Sequence, residues 1–86
     1  MTLRHLRIFV ILCKTANTTS AAETLFMSQP AVSLAIKELE NYYGVKLFDR
    51  ISKRLHITSA GEVFLRYSSH IVSLFDDGVG AVDSNF

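Results

Sequence analysis

The 86-residue chain holds one cysteine and one proline, and none of its apolar runs approaches the ~20 residues that span a bilayer. A single thiol, Cys13, excludes an intrachain disulfide. Besides it there are only His5, His56 and His70, and no Cys/His pairing has the spacing of a zinc site, so neither metal nor cofactor is expected. The longest uninterrupted apolar stretch runs only from Ile8 to Cys13, and no n-region, h-region and cleavage site occur in order. A cytoplasmic location without membrane contact is the expectation. No G-x-S-x-G, S-x-x-K or glycine-rich phosphate loop is present, and Gly78-Val79-Gly80 near the end is not a dinucleotide fingerprint, so catalysis is not expected. Low-complexity sequence is also missing.

What is there has the balance of a folded soluble chain, 49% hydrophobic and 20% charged, and its length suits one domain with one modest core. The formal charge of +1 conceals an asymmetry, because Asp76, Asp77 and Asp83 lie late in the sequence while all nine Lys/Arg precede them. Basic groups gather at Arg4, Arg7 and Lys14 and again at Lys46, Arg50, Lys53 and Arg54. That distribution is compatible with a polyanion partner, although surface Lys and Arg are ordinarily just solvated.

Residues 3–15 contain no Gly or Pro and place Leu3, Leu6, Val10 and Cys13 at helical spacing with Phe9 beside them, which predicts a first helix. Ile8, Ile11 and Leu12 form a second apolar face that needs a neighbour, within the fold or on another chain. Asn17, Thr18, Thr19 and Ser20 are candidate N-caps for a short second helix ending near Phe26, and Ser20 with Glu23 fits a capping box. After a break at Met27 and Ser28, Ser28 caps a third helix with Pro30 in its first turn, and Gly44 ends it. Val32, Ala35, Ile36 and Leu39 share one face of that helix; Pro30, Ser33, Leu34, Lys37 and Asn41 share the other.

Residues 45–58 read as a hairpin, two short apolar strands around the basic stretch 49–54, with His56 facing solvent between Leu55 and Ile57. Thr58 or Ser59 caps a last helix, in which Phe64, Tyr67, Ile71 and Leu74 or Phe75 repeat at three and four. This stripe fits a coiled-coil seam over barely two repeats and equally fits packing within the monomer. Three units follow: 1–58, a helix-turn-helix with a wing; 59–77, a helix whose stripe suits either dimerisation or packing within the monomer; and 78–86, a frayed tail or the cut edge of a longer protein. The fold class is mainly α with a small β-hairpin, a winged helix-turn-helix followed by a long C-terminal helix.

The segments Ala21-Ala22-Glu23-Thr24-Leu25-Phe26-Met27-Ser28-Gln29-Pro30-Ala31-Val32-Ser33, Ile36-Lys37-Glu38-Leu39-Glu40, Gly44-Val45-Lys46-Leu47-Phe48-Asp49-Arg50 and Ile57-Thr58-Ser59-Ala60-Gly61-Glu62 occur in that order. Over about residues 1–75 the chain resembles the DNA-binding domain of LysR-type transcriptional regulators. The resemblance implies a winged helix-turn-helix that binds interrupted inverted repeats in promoters as a homodimer paired through the linker helix. It also implies that small-molecule response resides in a separate ligand-sensing domain outside these residues. Leu34 stands where the family commonly carries arginine, which implies a different target site. Thr18 replaces the usual phenylalanine, which implies looser packing at the start of the second helix.

A helix in the major groove turns one face to base edges. Here that face would be Gln29, Pro30, Ser33, Leu34 and Lys37, with Gln29 suited to adenine and the Pro30 ring to a thymine methyl. One lysine against two glutamates cannot supply this helix's attraction to phosphates, so Arg50, Lys53 and Arg54 of the wing are expected on the DNA backbone, joined by Thr18, Ser20 and Ser28. A dimer interface is expected at Ile8, Ile11, Leu12, Phe64, Tyr67, Ile71, Leu74 and Phe75. The rival reading from another class is a helical protein-interaction module whose apolar faces bind another protein and whose wing is merely solvated. Cys13 is expected to be a small core hydrophobe.

Overall fold

In the computed structural model, which describes residues 1–86, three helices precede a hairpin and a fourth, much longer helix follows it. They are α1 (Leu3–Thr15), α2 (Thr18–Leu25), α3 (Gln29–Tyr43), β1 (Phe48–Ile51), β2 (Arg54–Ile57) and α4 (Ser59–Asn85). Local chemistry sets most boundaries. The Asn17 side chain accepts a hydrogen bond from the Ser20 amide at 3.0 Å, so Asn17 is the N-cap, α2 starts at Thr18 and the Ser20–Glu23 capping box does not form. Phe26 closes α2 in the left-handed region at φ 55°, and the Met27 amide reaches back to the Ala22 carbonyl at 2.9 Å. Ser28 Oγ then accepts from the Ala31 amide at 3.2 Å, and Gly44, at φ 70°, ends α3 as expected.

The hydrophobic centre lies between α1, α2 and α3. Phe9, Ala21, Val32 and Leu39 are completely buried there, and Leu47 closes it from the hairpin side. α1 occupies the middle, packed on α2, α3 and α4, which explains its two apolar faces. Leu6, Phe9 and Val10 are buried, and so are Ile8 and Leu12. The neighbour that the second face requires is therefore within the fold: Ile8 and Leu12 belong to the core, Ile11 is half-buried against it, and none of the three forms a free dimer face. Phe64 also turns inward, its ring 4.8 Å from that of Phe9 and 5.0 Å from that of Tyr43.

Two contacts tie the hairpin down. Half-buried Glu40 accepts from the Leu47 and Phe48 amides through Oε2, at 2.8 and 3.3 Å. Thr58 Oγ1 donates to the Lys46 carbonyl at 2.6 Å and accepts from the Gly61 amide at 3.0 Å, capping α4 while holding the hairpin's base together. Gly61 is the point of closest approach: a Cβ there would overlap the Leu47 carbonyl oxygen and stand 2.6 Å from Ile57 Cγ1.

The expected frayed tail is absent, because α4 continues without a break to Asn85. Gly78 and Gly80 each cost about 1 kcal/mol relative to alanine, but neither blocks a helical hydrogen bond as proline would. Arg7 of α1 reaches across to α4, donating to both carboxylate oxygens of Asp76, while its guanidinium carbon lies 5.6 Å from the Phe75 ring centroid. These hydrogen bonds hold the Asp76 carboxyl below the usual range and push the Arg7 guanidinium up.

Candidate nucleic-acid interface

The face of α3 that leaves the core is set by its period: with Val32, Ala35, Ile36 and Leu39 turned inward, Gln29, Pro30, Ser33, Leu34 and Lys37 are all exposed. The hairpin stands beside this face. Its strands pair antiparallel with Phe48 opposite Ile57, Asp49 opposite His56, Arg50 opposite Leu55 and Ile51 opposite Arg54. The two-residue turn, Ser52-Lys53, has φ of 53° and 64°, left-handed at both positions as a tight hairpin of this twist demands.

Two open recesses meet along the surface between α3 and the hairpin. One takes in Pro30, Ser33, Leu34 and Lys37 together with Lys46 and Arg50. The other takes in Gln29 and Ser33 together with Arg50, Lys53 and Arg54, and Thr18 lines both. Ser33 and Arg50 are also common to both, so the helix face and the cationic wing form one continuous groove.

Eight of the proposed contact positions of α3 and the wing are thus neighbours, and Thr18 at the first turn of α2 joins them. Ser20 and Ser28 do not line the groove: the Ser28 hydroxyl serves as the cap of α3, and the Ser20 amide is engaged by Asn17. Thr15, Asn17 and Thr19, which the sequence did not single out for DNA contact, line the polar recess at the α1–α2 junction, and His56, exposed as expected of a wing residue, borders the same recess. A run of short polar residues before a helix signals a cap; only the folded arrangement puts it opposite the wing.

The apolar stripe of α4 points elsewhere. Tyr67, Ile71, Leu74 and Phe75 are each about half exposed or more, and Val63, Val79 and Val82 extend the exposed apolar surface along the helix. Next to it, Tyr43, Val45 and Leu47 join Ala60, Val63, Phe64, Tyr67 and Ile71 in an apolar recess.

Helix, turn, helix and cationic hairpin in this order coincide with a known family model, that of the bacterial regulatory helix-turn-helix proteins of the lysR family, over residues 3–62. The chain belongs to the LysR family. Among curated LysR-like relatives, it is 43% identical over 82 residues to a probable RuBisCO transcriptional regulator of Thalassiosira pseudonana, covering 95% of this chain and 27% of the relative. It is 48% identical over 66 residues to the Hca operon transcriptional activator HcaR of Escherichia coli, covering 77% and 22%. The chain therefore spans about a quarter of the length of these curated relatives. Among solved structures, the BenM DNA-binding domain in complex with catB site 1 DNA superposes with a TM-score of 0.91 at 34% identity, over 98% of this chain and 94% of that one. The CbnR DNA-binding domain in its DNA complex gives 0.88 at 28% identity, over 98% and 97%. Full-length OxyR C199D from Pseudomonas aeruginosa matches at 0.92 and 28%, over 99% of this chain and 29% of that one. The LysR chain described here is thus a winged helix-turn-helix with a long fourth helix, and none of its helices is long and apolar enough to cross a membrane.

Proposed function

We propose that this chain binds double-stranded promoter DNA sequence-specifically, as the promoter-recognition part of a LysR-type transcriptional regulator. α3 enters the major groove with Gln29, Pro30, Ser33, Leu34 and Lys37 at base edges, and Arg50, Lys53 and Arg54 of the wing lie along the sugar-phosphate backbone with Thr18. One observation carries this reading: the exposed face of α3 and the wing's cations share one uninterrupted groove, Ser33 and Arg50 belonging to both halves of it. The division of labour follows from charge. Lys37 is the only cation on α3, so affinity for phosphates rests on the wing while discrimination rests on the helix.

Ser28 acts on DNA through the α3 N-terminus that it caps, and Ser20 contributes at most through the start of α2. Two copies pair through Tyr67, Ile71, Leu74 and Phe75 of α4, so that a two-fold protein meets a two-fold operator. No catalytic role, metal or cofactor is assigned, and a cytoplasmic location accompanies access to promoters. Small-molecule response is assigned to no residue of this chain.

The rival module, binding protein rather than DNA, draws support from the exposed apolar surface of α4. A gel-shift titration on promoter duplexes at two salt concentrations separates the two. The preferred reading expects binding that weakens steeply with salt; the interaction module expects no shifted duplex at either concentration.

A further inference from the structure

We propose that Leu34 reads the 5-methyl group of thymine, making methyl contact the specificity determinant at its position in the operator. The inference rests on the DNA-binding reading above and names which chemical group this part of the site selects. Leu34 is 59% exposed, on the side of α3 opposite Val32, Ala35, Ile36 and Leu39. At ~100° per residue it stands ~40° from Pro30 and one turn further along, so the two present a paired apolar surface at the outward pole of the helix. Both line the recess that also contains Ser33, Lys37 and Arg50.

An exposed leucine among polar and cationic neighbours has no donor or acceptor with which to read the nitrogens and oxygens of a base edge. The major groove offers one apolar feature, the thymine methyl, and covering it removes water from both partners. A second protein copy is the less suitable occupant, because the apolar surface available for one runs along α4 through Tyr67, Ile71 and Leu74, whereas Leu34 lies in the groove bordered by the wing's cations.

The test uses duplexes selected by the 86-residue chain from a random pool, with each thymine replaced singly by deoxyuridine, which deletes the methyl and keeps every hydrogen-bonding group. Burying one methyl-sized group is worth about fourfold in Kd. The expected result is a loss of that size at one thymine per half-site. In Leu34→Ala, affinity for the thymine duplex falls similarly and the deoxyuridine effect at that position disappears, while Leu34→Met keeps most of the discrimination. Uniform indifference of the unmodified chain to deoxyuridine overturns the inference while leaving DNA binding standing. Full deoxyuridine sensitivity retained in Leu34→Ala also overturns it, transferring the methyl contact to Pro30. Failure to recover any duplex overturns the DNA-binding reading and this inference with it.

Discussion

Ser33 and Lys53 border the same groove but carry different burdens in the proposed complex. There the Ser33 hydroxyl is proposed to meet base edges, so Ser33→Ala is expected to change the ranking of binding sites in a competition assay; equal weakening on every site would remove it from readout. Lys53→Ala combined with Arg54→Ala is expected to weaken all duplexes alike and to reduce the slope of log K against log salt by about 2, and an altered base preference would contradict the wing's placement. Cys13 shows how burial alone tunes chemistry, since desolvation pushes its thiol from an ordinary 9.0 up to about 12. Its thiolate population at pH 8 falls by roughly a thousandfold, so a thiol reagent is expected to label the folded chain far more slowly than the denatured one. Equal rates would show the thiol to be accessible. Because the folded thiol holds its proton longer than the unfolded one, stability is undiminished below pH 9 and is lost as pH rises toward 12. Cys13→Ala should therefore flatten part of the alkaline fall in stability.

Among the elements, the hairpin depends on two residues outside its strands. Glu40→Ala leaves the Leu47 and Phe48 amides without their acceptor and is expected to cost about 1–3 kcal/mol in denaturant unfolding. Gly61→Ala forces a methyl into the Leu47 carbonyl and should cost a similar 1–3 kcal/mol; unchanged midpoints would disprove the close approach. These dependencies differ in how visible they were from the chain alone. Ser28, Pro30 and Gly44 mark the ends of α3 through bonds to near neighbours, so composition reveals them. Glu40 meets amides seven and eight residues on, across a turn, and reads in sequence merely as a charge that weakens the helix's basicity. Periodicity identified both apolar faces of α1 but not their cover, because whether Ile8 and Leu12 meet α2 and α3 or another chain is decided by packing. For α4, residues 78–86 were expected to fray, whereas a helix capped at Thr58 and free of proline propagates through Gly78 and Gly80 to Asn85. The groove itself was legible as two separate halves; its continuity through Ser33 and Arg50 belongs to the fold.

At the scale of the whole molecule, the principal extents of 50 × 25 × 18 Å reflect a rod leaving a small head. In the proposed dimer, Ile71→Glu with Leu74→Glu places charge on the pairing stripe and is expected to shift sedimentation toward monomer. DNA affinity should fall on inverted repeats but little on an isolated half-site. Unchanged sedimentation would remove α4 from the interface. Packing of α4 on α1, with Phe64 against Phe9 and the Arg7 contacts to Asp76 and Phe75 further out, gives this rod its bearing relative to α3, because α1 also packs against α3. A 27-residue helix is about 40 Å long, so a pivot of ~10° at its root displaces the far tip by ~7 Å, about two base-pair steps. In the proposed dimer, the α1–α4 contact, with the Arg7–Asp76 pair at its outer end, would thereby act as the joint of a compass, setting how far apart two needles touch the page.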